Sequence, residues 1–174
     1  MTDWTNWFRH QLQASGDAFL WAVRQIPPDY LLALPPDPRY LGTWEPARHV
    51  WHVAEYDRCI ALPSMRQWIG EALPNGSNWQ DTDQAWAAVR HQSLEEHCAA
   101  FHAVRQAQIV LLDELVAVDW QARRETLWGE KPLAWVVTKT FQHTYEHGNT
   151  LMQMGLWWEH IERAIAAKRA AGTV

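Results

Sequence analysis

Apolar residues recur at helical spacing along nearly the whole chain, and this periodicity constrains the fold more than any other feature of the sequence. In the first segment the apolar residues at this spacing are Trp4, Trp7, Phe8, Leu12, Phe19, Leu20 and Val23. Asp3 can cap the start of a helix, and Pro27-Pro28 ends it because proline cannot continue the hydrogen-bond ladder. The sequence therefore predicts an amphipathic helix from Asp3 to about Gln25.

Prolines are concentrated just after this first helix. Residues 27–46 hold six of the nine prolines, which are Pro27, Pro28, Pro35, Pro36, Pro38 and Pro46. Such a segment favours an extended connection over a helix. A connection of this length lets two neighbouring helices of a bundle run parallel, and we expect that arrangement here.

A second helix is predicted to begin near Glu45–Pro46, because proline is tolerated in the first turn of a helix. Thr43 is a candidate cap for this helix, and Pro63 is expected to kink or break it. Residues 74–78 have the composition of a turn.

Four more helical segments follow. Asp83 opens a short helix, and Ser93 with Glu96 forms a capping box at the start of a long one that runs to Leu115. Residues 119–131 read as a polar connection, and Pro132 stands where a helix begins. A final helical piece spans residues 157–170, and no segment has the alternation typical of a strand.

The pattern predicts an all-α protein. Four main helices and one or two short ones give a four-helix bundle with a long first crossover, as one domain over residues 1–174. Metal sites in such bundles are built from side chains that face inward from different helices.

Composition excludes several classes of function. The chain has 15 basic against 20 acidic residues and no basic stripe, so nucleic acid is not an expected partner. No run approaches the roughly 18 apolar residues of a membrane span. The two cysteines form no CxxC pair, and the first residues lack the pattern of a signal peptide. We therefore expect a soluble cytoplasmic protein.

His143 and His147 are the residues that most clearly carry chemistry. Their spacing of four places both imidazoles on one face of a helix, along a largely apolar stripe that includes Val136, Thr140 and Met154. Two such rings can bind one metal ion. Histidines at this spacing are also found as partly buried packing residues, and that alternative stays open on spacing alone.

A third ligand has two candidates, His49 and His52, near the start of the second helix. His52 is preferred because Tyr56 and Cys59 follow it at helical spacing on the side expected to face inward. His49 could share that face or donate a hydrogen bond to a ligand, and Glu55 and Tyr56 could orient a ligand in the same way. For Cys59 a role as a small buried apolar residue is favoured over one beside the metal.

Other metal chemistries lack their motifs. None of the nine histidines has a glutamate three residues before it, as a di-iron carboxylate bundle requires, and HExxH is absent. The sequence also lacks a phosphate loop and a nucleophile elbow. A mononuclear site of three histidines remains, and three ligands leave positions open, as in catalytic rather than structural zinc sites.

These residues resemble the DinB/YfiT-like metalloenzyme superfamily. The resemblance rests on Trp44-Glu45-Pro46 leading to His52, on the late HxxxH of His143 and His147, and on helix order and chain length. After His147 this chain has Gly148-Asn149-Thr150, whereas many members have an arginine directly after the second histidine. The resemblance implies a four-helix bundle, commonly dimeric, with a divalent metal bound by His52, His143 and His147.

The resemblance also implies a type of reaction. Characterised relatives include transferases and isomerases that use low-molecular-weight thiols such as bacillithiol, mycothiol or glutathione. A divalent metal such as zinc, nickel, iron or manganese would activate the thiol for attack on a small electrophile. Two alternatives stay open: a metal-binding or stress-related module without turnover, and an interaction protein whose histidines only pack.

Overall fold

A computed structural model describes residues 4–74, 79 and 81–172, and most of this part of the chain is helical. The predicted cap at Asp3 and most of the predicted turn at 74–78 lie outside the described residues. The helices are α1 (Trp4–Arg24), α2 (Pro38–Leu41), α3 (Pro46–Tyr56), α4 (Leu62–Arg66), α5 (Asp83–Val89), α6 (Leu94–Glu114) and α7 (Leu133–Ala170). The all-α class is confirmed, with α1, α3–α4, α6 and α7 as the four sides of the bundle.

Side-chain contacts fix the directions of these four helices. Along α7, residues 141 and 148 meet residues 7 and 19 of α1, and residue 155 meets residue 26 just beyond its end, so α1 and α7 run parallel. The ion pair of Arg9 with Asp113 and that of Arg24 with Glu95 make α1 and α6 antiparallel. His49 meets His147 and His52 meets His143, so α3 and α7 are antiparallel as well.

The expectation that the first crossover joins parallel helices is therefore wrong. The chain passes up α1, down α3–α4, down α6 and up α7, and the parallel step is the second connection, which contains α5. The first connection is long because it wraps the bundle end: the backbone N–H of Ala47 donates to the carbonyl of Leu31. It also contains α2, whose start is capped by the Asp37 carboxylate.

The second helix begins at Pro46, as predicted, but its cap differs. Glu45 occupies the cap position, and its buried carboxylate accepts hydrogen bonds from the indole of Trp86 (2.8 Å) and from Arg90 (2.9 Å). Before Pro63 the helix changes to a π turn over Asp57–Ala61, with the Leu62 N–H bonded to the Asp57 carbonyl. This wider turn leads from α3 into the proline-bearing α4 without ending the helical segment.

Residues 119–131 contain a feature that the sequence pattern did not predict. Strands β1 (Arg123–Thr126) and β2 (Gly129–Pro132) form an antiparallel hairpin, in which Arg123 pairs with Pro132. Their side chains are mostly polar and exposed, so no apolar alternation marks them. Gly129, at φ +79°, supplies the left-handed residue of the turn.

The last helix is one element rather than two. α7 runs for 38 residues through Gly148 and Gly155, which face α1 at Phe19 and at Gln25–Ile26. One apolar core packs on α7 at residues 133–137 and a second at residues 151–158. The histidine pair of α7 lies between these two cores. None of the helices in the described ranges is long and apolar enough to cross a membrane.

Candidate metal centre

Four histidines meet where α3 crosses α7. His49 and His52 come from the first and second turns of α3, and His143 and His147 come from consecutive turns of α7. His49 and His52 are 6% and 5% exposed, and the other two are half-buried. The helical spacing on each side and the antiparallel crossing together produce a compact cluster of imidazoles.

Three ring nitrogens point at one another. The Nε2 atom of His143 lies 3.2 Å from Nε2 of His52 and 3.2 Å from Nε2 of His147. Metal–nitrogen bonds of about 2.0–2.1 Å at near-tetrahedral angles require nitrogens roughly 3.3 Å apart. Two of the three pairs match this separation, and ligand atoms of all three side chains lie within 4.8 Å of one another, so they form a grouping that could hold a metal.

His49 approaches the cluster from behind His147. Its Nδ1 lies 2.7 Å from Nδ1 of His147, so one of these two nitrogens carries the proton that the other accepts. If His147 donates, its Nε2 has a free lone pair directed at the cluster, which is the tautomer that a metal ligand needs. The geometry thus gives His49 the position of an orienting residue and not that of a fourth ligand.

His52 has a carboxylate behind it. Its Nδ1 lies 3.2 Å from Oδ2 of Asp81, and Oδ1 of Asp81 lies 3.4 Å from the guanidinium of Arg48. Arg48 also pairs with Asp83 at 2.7 Å and stands over the ring of Trp44. The loop before α5 is thereby joined to α3 directly beside the cluster.

Aromatic side chains surround the histidines. The ring of Tyr56 lies 3.9 Å from that of His143, centroid to centroid, and Trp44 lies 4.8 Å from His52. Trp79 packs against His52 on another side, at 5.3 Å. Its buried indole N–H has no hydrogen-bond partner among the described residues. The cluster therefore lies within apolar walls that carry an unused donor.

These surroundings keep the imidazoles neutral. Burial, reinforced by His52 and Arg48, lowers the pKa of His49 to about 3. Burial and the neighbouring histidines lower the pKa of His147 to about 2, and burial with His52 and Lys139 lowers that of His143 to about 3. Burial also lowers the pKa of His52, although Asp81 opposes the shift. Neutral imidazole is the form that binds metal.

The sequence was compared with known proteins. The sequence model of the DinB superfamily matches residues 11–151, which include all four histidines and most of the chain. The chain belongs to the DinB superfamily. Comparisons with curated proteins and with solved structures found no match. The family confirms the resemblance inferred from the motifs, and the part of α7 beyond residue 151 lies outside the matched segment.

The structure places the other candidate residues of this DinB-superfamily chain differently. Glu55 accepts two hydrogen bonds from Arg58, at 3.1 and 2.5 Å, on the partly exposed side of α3. Cys59 is buried beside Ile60 in the π turn, and burial raises the pKa of its thiol. The described contacts of Glu55 and Cys59 thus lie away from the histidine rings, whereas Tyr56 touches one.

Two contributors were missed by the sequence reasoning. Asp81 lies 29 positions beyond His52, and no spacing rule connects a loop residue to a helix so far along the chain. Trp44 was noted only as part of the entry to the second helix, yet its ring contacts His49, His52 and His147. An acidic residue shortly before α5 was the only available signal for Asp81, and such residues are common at helix starts.

Proposed function

We propose that His52, His143 and His147 bind one divalent metal ion, such as zinc, nickel, iron or manganese, in a transferase that uses a low-molecular-weight thiol. The convergence of their three Nε2 atoms carries the proposal. A three-histidine set leaves coordination positions open, which suits catalysis better than a structural role. Membership of the DinB superfamily agrees with a metal-binding helical bundle.

The residues around the cluster have separate tasks in this proposal. His49 accepts the Nδ1 proton of His147 and so keeps the Nε2 of that ring unprotonated. Trp44 and Tyr56 shield the rings from water, and the free indole N–H of Trp79 can donate to a polar group of the substrate. When bound, a metal at this site supplies a Lewis acid that lowers the pKa of a thiol or of water.

The nucleophile is expected to come from outside the chain. Cys59 is buried, its pKa is raised, and the described contacts of its sulfur are with Glu55 and its own apolar cluster. We therefore propose that an external thiol loses its proton to solvent water and its sulfur forms a bond to carbon of a small electrophile. The leaving group departs with the electron pair of the bond that breaks. Apolar walls favour an electrophile with an aromatic or aliphatic body.

Metal content tests the first half of the proposal. The purified protein should contain close to one equivalent of divalent metal by elemental analysis. His52→Ala, His143→Ala and His147→Ala should each lose it, because two imidazoles bind far more weakly than three. His102→Ala is the matched control, since His102 is exposed on α6, and it should keep the metal. Wild-type protein that contains no stoichiometric metal would contradict the proposed metal site.

Turnover tests the second half. Metal-loaded protein should accelerate conjugation of a thiol to monochlorobimane, with glutathione, bacillithiol and mycothiol compared in parallel, and His52→Ala should abolish the acceleration. A metal-loaded protein that is inactive with every thiol would favour a binding module of the same fold.

We also expect a homodimer with no nucleic-acid partner, and sedimentation equilibrium tests the oligomeric state.

A further inference from the structure

Asp81 is the one carboxylate that the described residues place against a histidine of the cluster. We propose that Asp81 is a positioning residue that holds the ring of His52 in its metal-binding tautomer and orientation. This inference rests on the proposed metal site. It assigns a task to a residue outside both helices that carry the histidines.

The two nitrogens of His52 have different surroundings. Nε2 faces His143, so it must carry a lone pair if it is to bind a metal, and the ring proton then sits on Nδ1. Nδ1 of His52 has no aligned hydrogen-bond partner among the described residues, and Oδ2 of Asp81, 3.2 Å away, is the carboxylate oxygen within reach to accept its proton once the ring is turned toward a metal. A carboxylate in this position fixes the ring and makes its other nitrogen a stronger donor.

Asp81 is itself held in place. Its Oδ1 lies 3.4 Å from Arg48, whose side chain is only 10% exposed. Arg48 stands over Trp44, with its guanidinium carbon 4.6 Å from the ring centroid, and Trp44 packs against His52 with the two rings tilted by 54°. The carboxylate, the guanidinium and the indole therefore form a closed set of contacts around one imidazole. That set restrains the ring from two directions.

The three proposed ligands differ in the group that lies next to Nδ1, the ring nitrogen that faces away from the metal. His52 has the carboxylate of Asp81, and His147 has the neutral imidazole of His49. The Nδ1 atoms of His52 and His143 both lack an aligned hydrogen-bond partner among the described residues, but of the two only that of His52 has a carboxylate oxygen placed 3.2 Å away in that part of the chain. Three neutral imidazoles contribute no negative charge to offset a divalent cation. Asp81 is thus the contact through which negative charge reaches the ion, and affinity should be most sensitive to it.

Asp83 offers a matched control for Asp81. Both carboxylates pair with Arg48, but the Asp83 side chain is 94% exposed, and among the described residues its ion pair is with Arg48. Asp83→Asn therefore removes a partner of Arg48 and a negative charge two residues away, with no change at His52. Asp81→Asn keeps the shape and an acceptor oxygen but removes the charge, and Asp81→Ala removes both.

Zinc affinity is measured by competition with a chromogenic chelator at pH 7.5, and the site is also loaded with cobalt(II) for its visible absorption spectrum. We expect Asp81→Ala to weaken zinc binding about 10- to 100-fold, Asp81→Asn to fall between it and wild type, and Asp83→Asn to stay within twofold. The cobalt bands should shift in both Asp81 variants and coincide with wild type for Asp83→Asn.

The outcomes separate this inference from the proposed function. Suppose that wild type binds zinc and His52→Ala does not. If both Asp81 variants then bind zinc within twofold of wild type and have an unchanged cobalt spectrum, the role of Asp81 is overturned and the proposed metal site stands. If wild type binds no metal, the proposed function is overturned together with the role of Asp81. Circular dichroism checks that each variant is folded. If Asp81→Ala does not fold, the zinc affinity and cobalt spectrum of Asp81→Asn test the role of Asp81.

Discussion

His147 and His49 place their Nδ1 atoms 2.7 Å apart, so one proton lies between two buried rings. Whichever ring donates, the other must accept, and the choice determines whether Nε2 of His147, which faces the cluster, carries a proton or a lone pair. Binding of a metal at Nε2 of His147 requires that His147 donate. His49 then accepts through Nδ1, and its Nε2–H is buried without a partner among the described residues.

Replacing His49 should change metal affinity although it supplies no ligand atom. We expect His49→Leu to weaken zinc binding by about tenfold, because loss of an orienting partner typically costs 10- to 100-fold. His49→Asn should recover part of the loss, since its amide oxygen can accept a proton near the position of Nδ1. Chelator competition measures both variants.

His102→Ala serves as the control for removing a histidine as such, because His102 is exposed. Equal affinities for His49→Leu and wild type would contradict the tautomer argument. A loss in His49→Leu with no recovery in His49→Asn would mean that packing at this 6% exposed position matters more than the hydrogen bond.

At this scale the sequence predicted the residues that lie on helices. His52, His143 and His147 could be placed because helical periodicity converts spacing into a shared face. It also showed His49 and Tyr56 near them. Asp81 and Trp44 could not be placed, because loop residues have no period and their position depends on tertiary packing.

Among the elements, α7 carries two glycines, Gly148 and Gly155, where it packs against α1 and the residues just after it. A Cβ at Gly155 would lie 3.7 Å from Cβ of Gln25 and 3.9 Å from Ile26, which are ordinary contact distances. Gly129 is different, since it has open space around it but a φ of +79°. Substitutions at the two glycines therefore report on different effects. Gly155 reports on the low helix propensity of glycine, and Gly129 reports on the need for a left-handed backbone.

Alanine at these two positions should shift stability in opposite directions. We expect Gly155→Ala to raise the free energy of unfolding by up to about 1 kcal/mol, because alanine is the better helix former and fits the space. Gly129→Ala should lower it by about 1 kcal/mol, because the left-handed conformation disfavours a Cβ. Urea denaturation of the metal-free protein measures both. A loss of stability in Gly155→Ala would show that α1 and α7 approach more closely than these distances indicate.

The sequence predicted most elements but not all of their limits. The capping box at Ser93 and Glu96 and the start at Pro46 are confirmed, because caps and proline act locally. The hairpin was missed because its exposed, polar strands carry no apolar period. The helical piece predicted at 157–170 is continuous with the segment that carries His143, since its glycines fit against α1 and do not end the helix.

The whole molecule must keep a group of uncharged histidines inside. The pKa values of His49, His143 and His147 are lowered to about 3, 3 and 2, whereas unfolded histidine titrates near 6.5. Between these values the unfolded chain binds more protons than the folded one. The free energy of unfolding of the metal-free protein is therefore highest above about pH 6.5 and decreases as the pH falls below this value.

The metal-free protein should lose stability steeply in mild acid. Each of the three histidines contributes about 1.4 kcal/mol per pH unit below 6.5, so a change from pH 7.5 to 5.5 should cost up to about 4 kcal/mol. That is a large share of the 5–15 kcal/mol typical of a domain. Urea midpoints across this pH range measure the loss.

Two variants show whether the cluster causes this loss. His147→Leu should reduce the pH dependence by about one proton, and His102→Ala should leave it unchanged because His102 is exposed. An identical slope in His147→Leu and wild type would assign the acid sensitivity to other groups, such as the buried pair of Asp57 and Arg105.

The antiparallel pairing of His49 with His147 and of His52 with His143 has a consequence for how correct folding can be recognised. Sliding α3 along α7 by a single turn would move the rings about 5.4 Å apart while leaving every helix intact. A collapsed state with loose packing would therefore show a normal helical spectrum and yet capture no ion. The amount of metal that a preparation takes up counts the molecules whose two helices are in register, which makes it a stricter measure of nativeness than helix content.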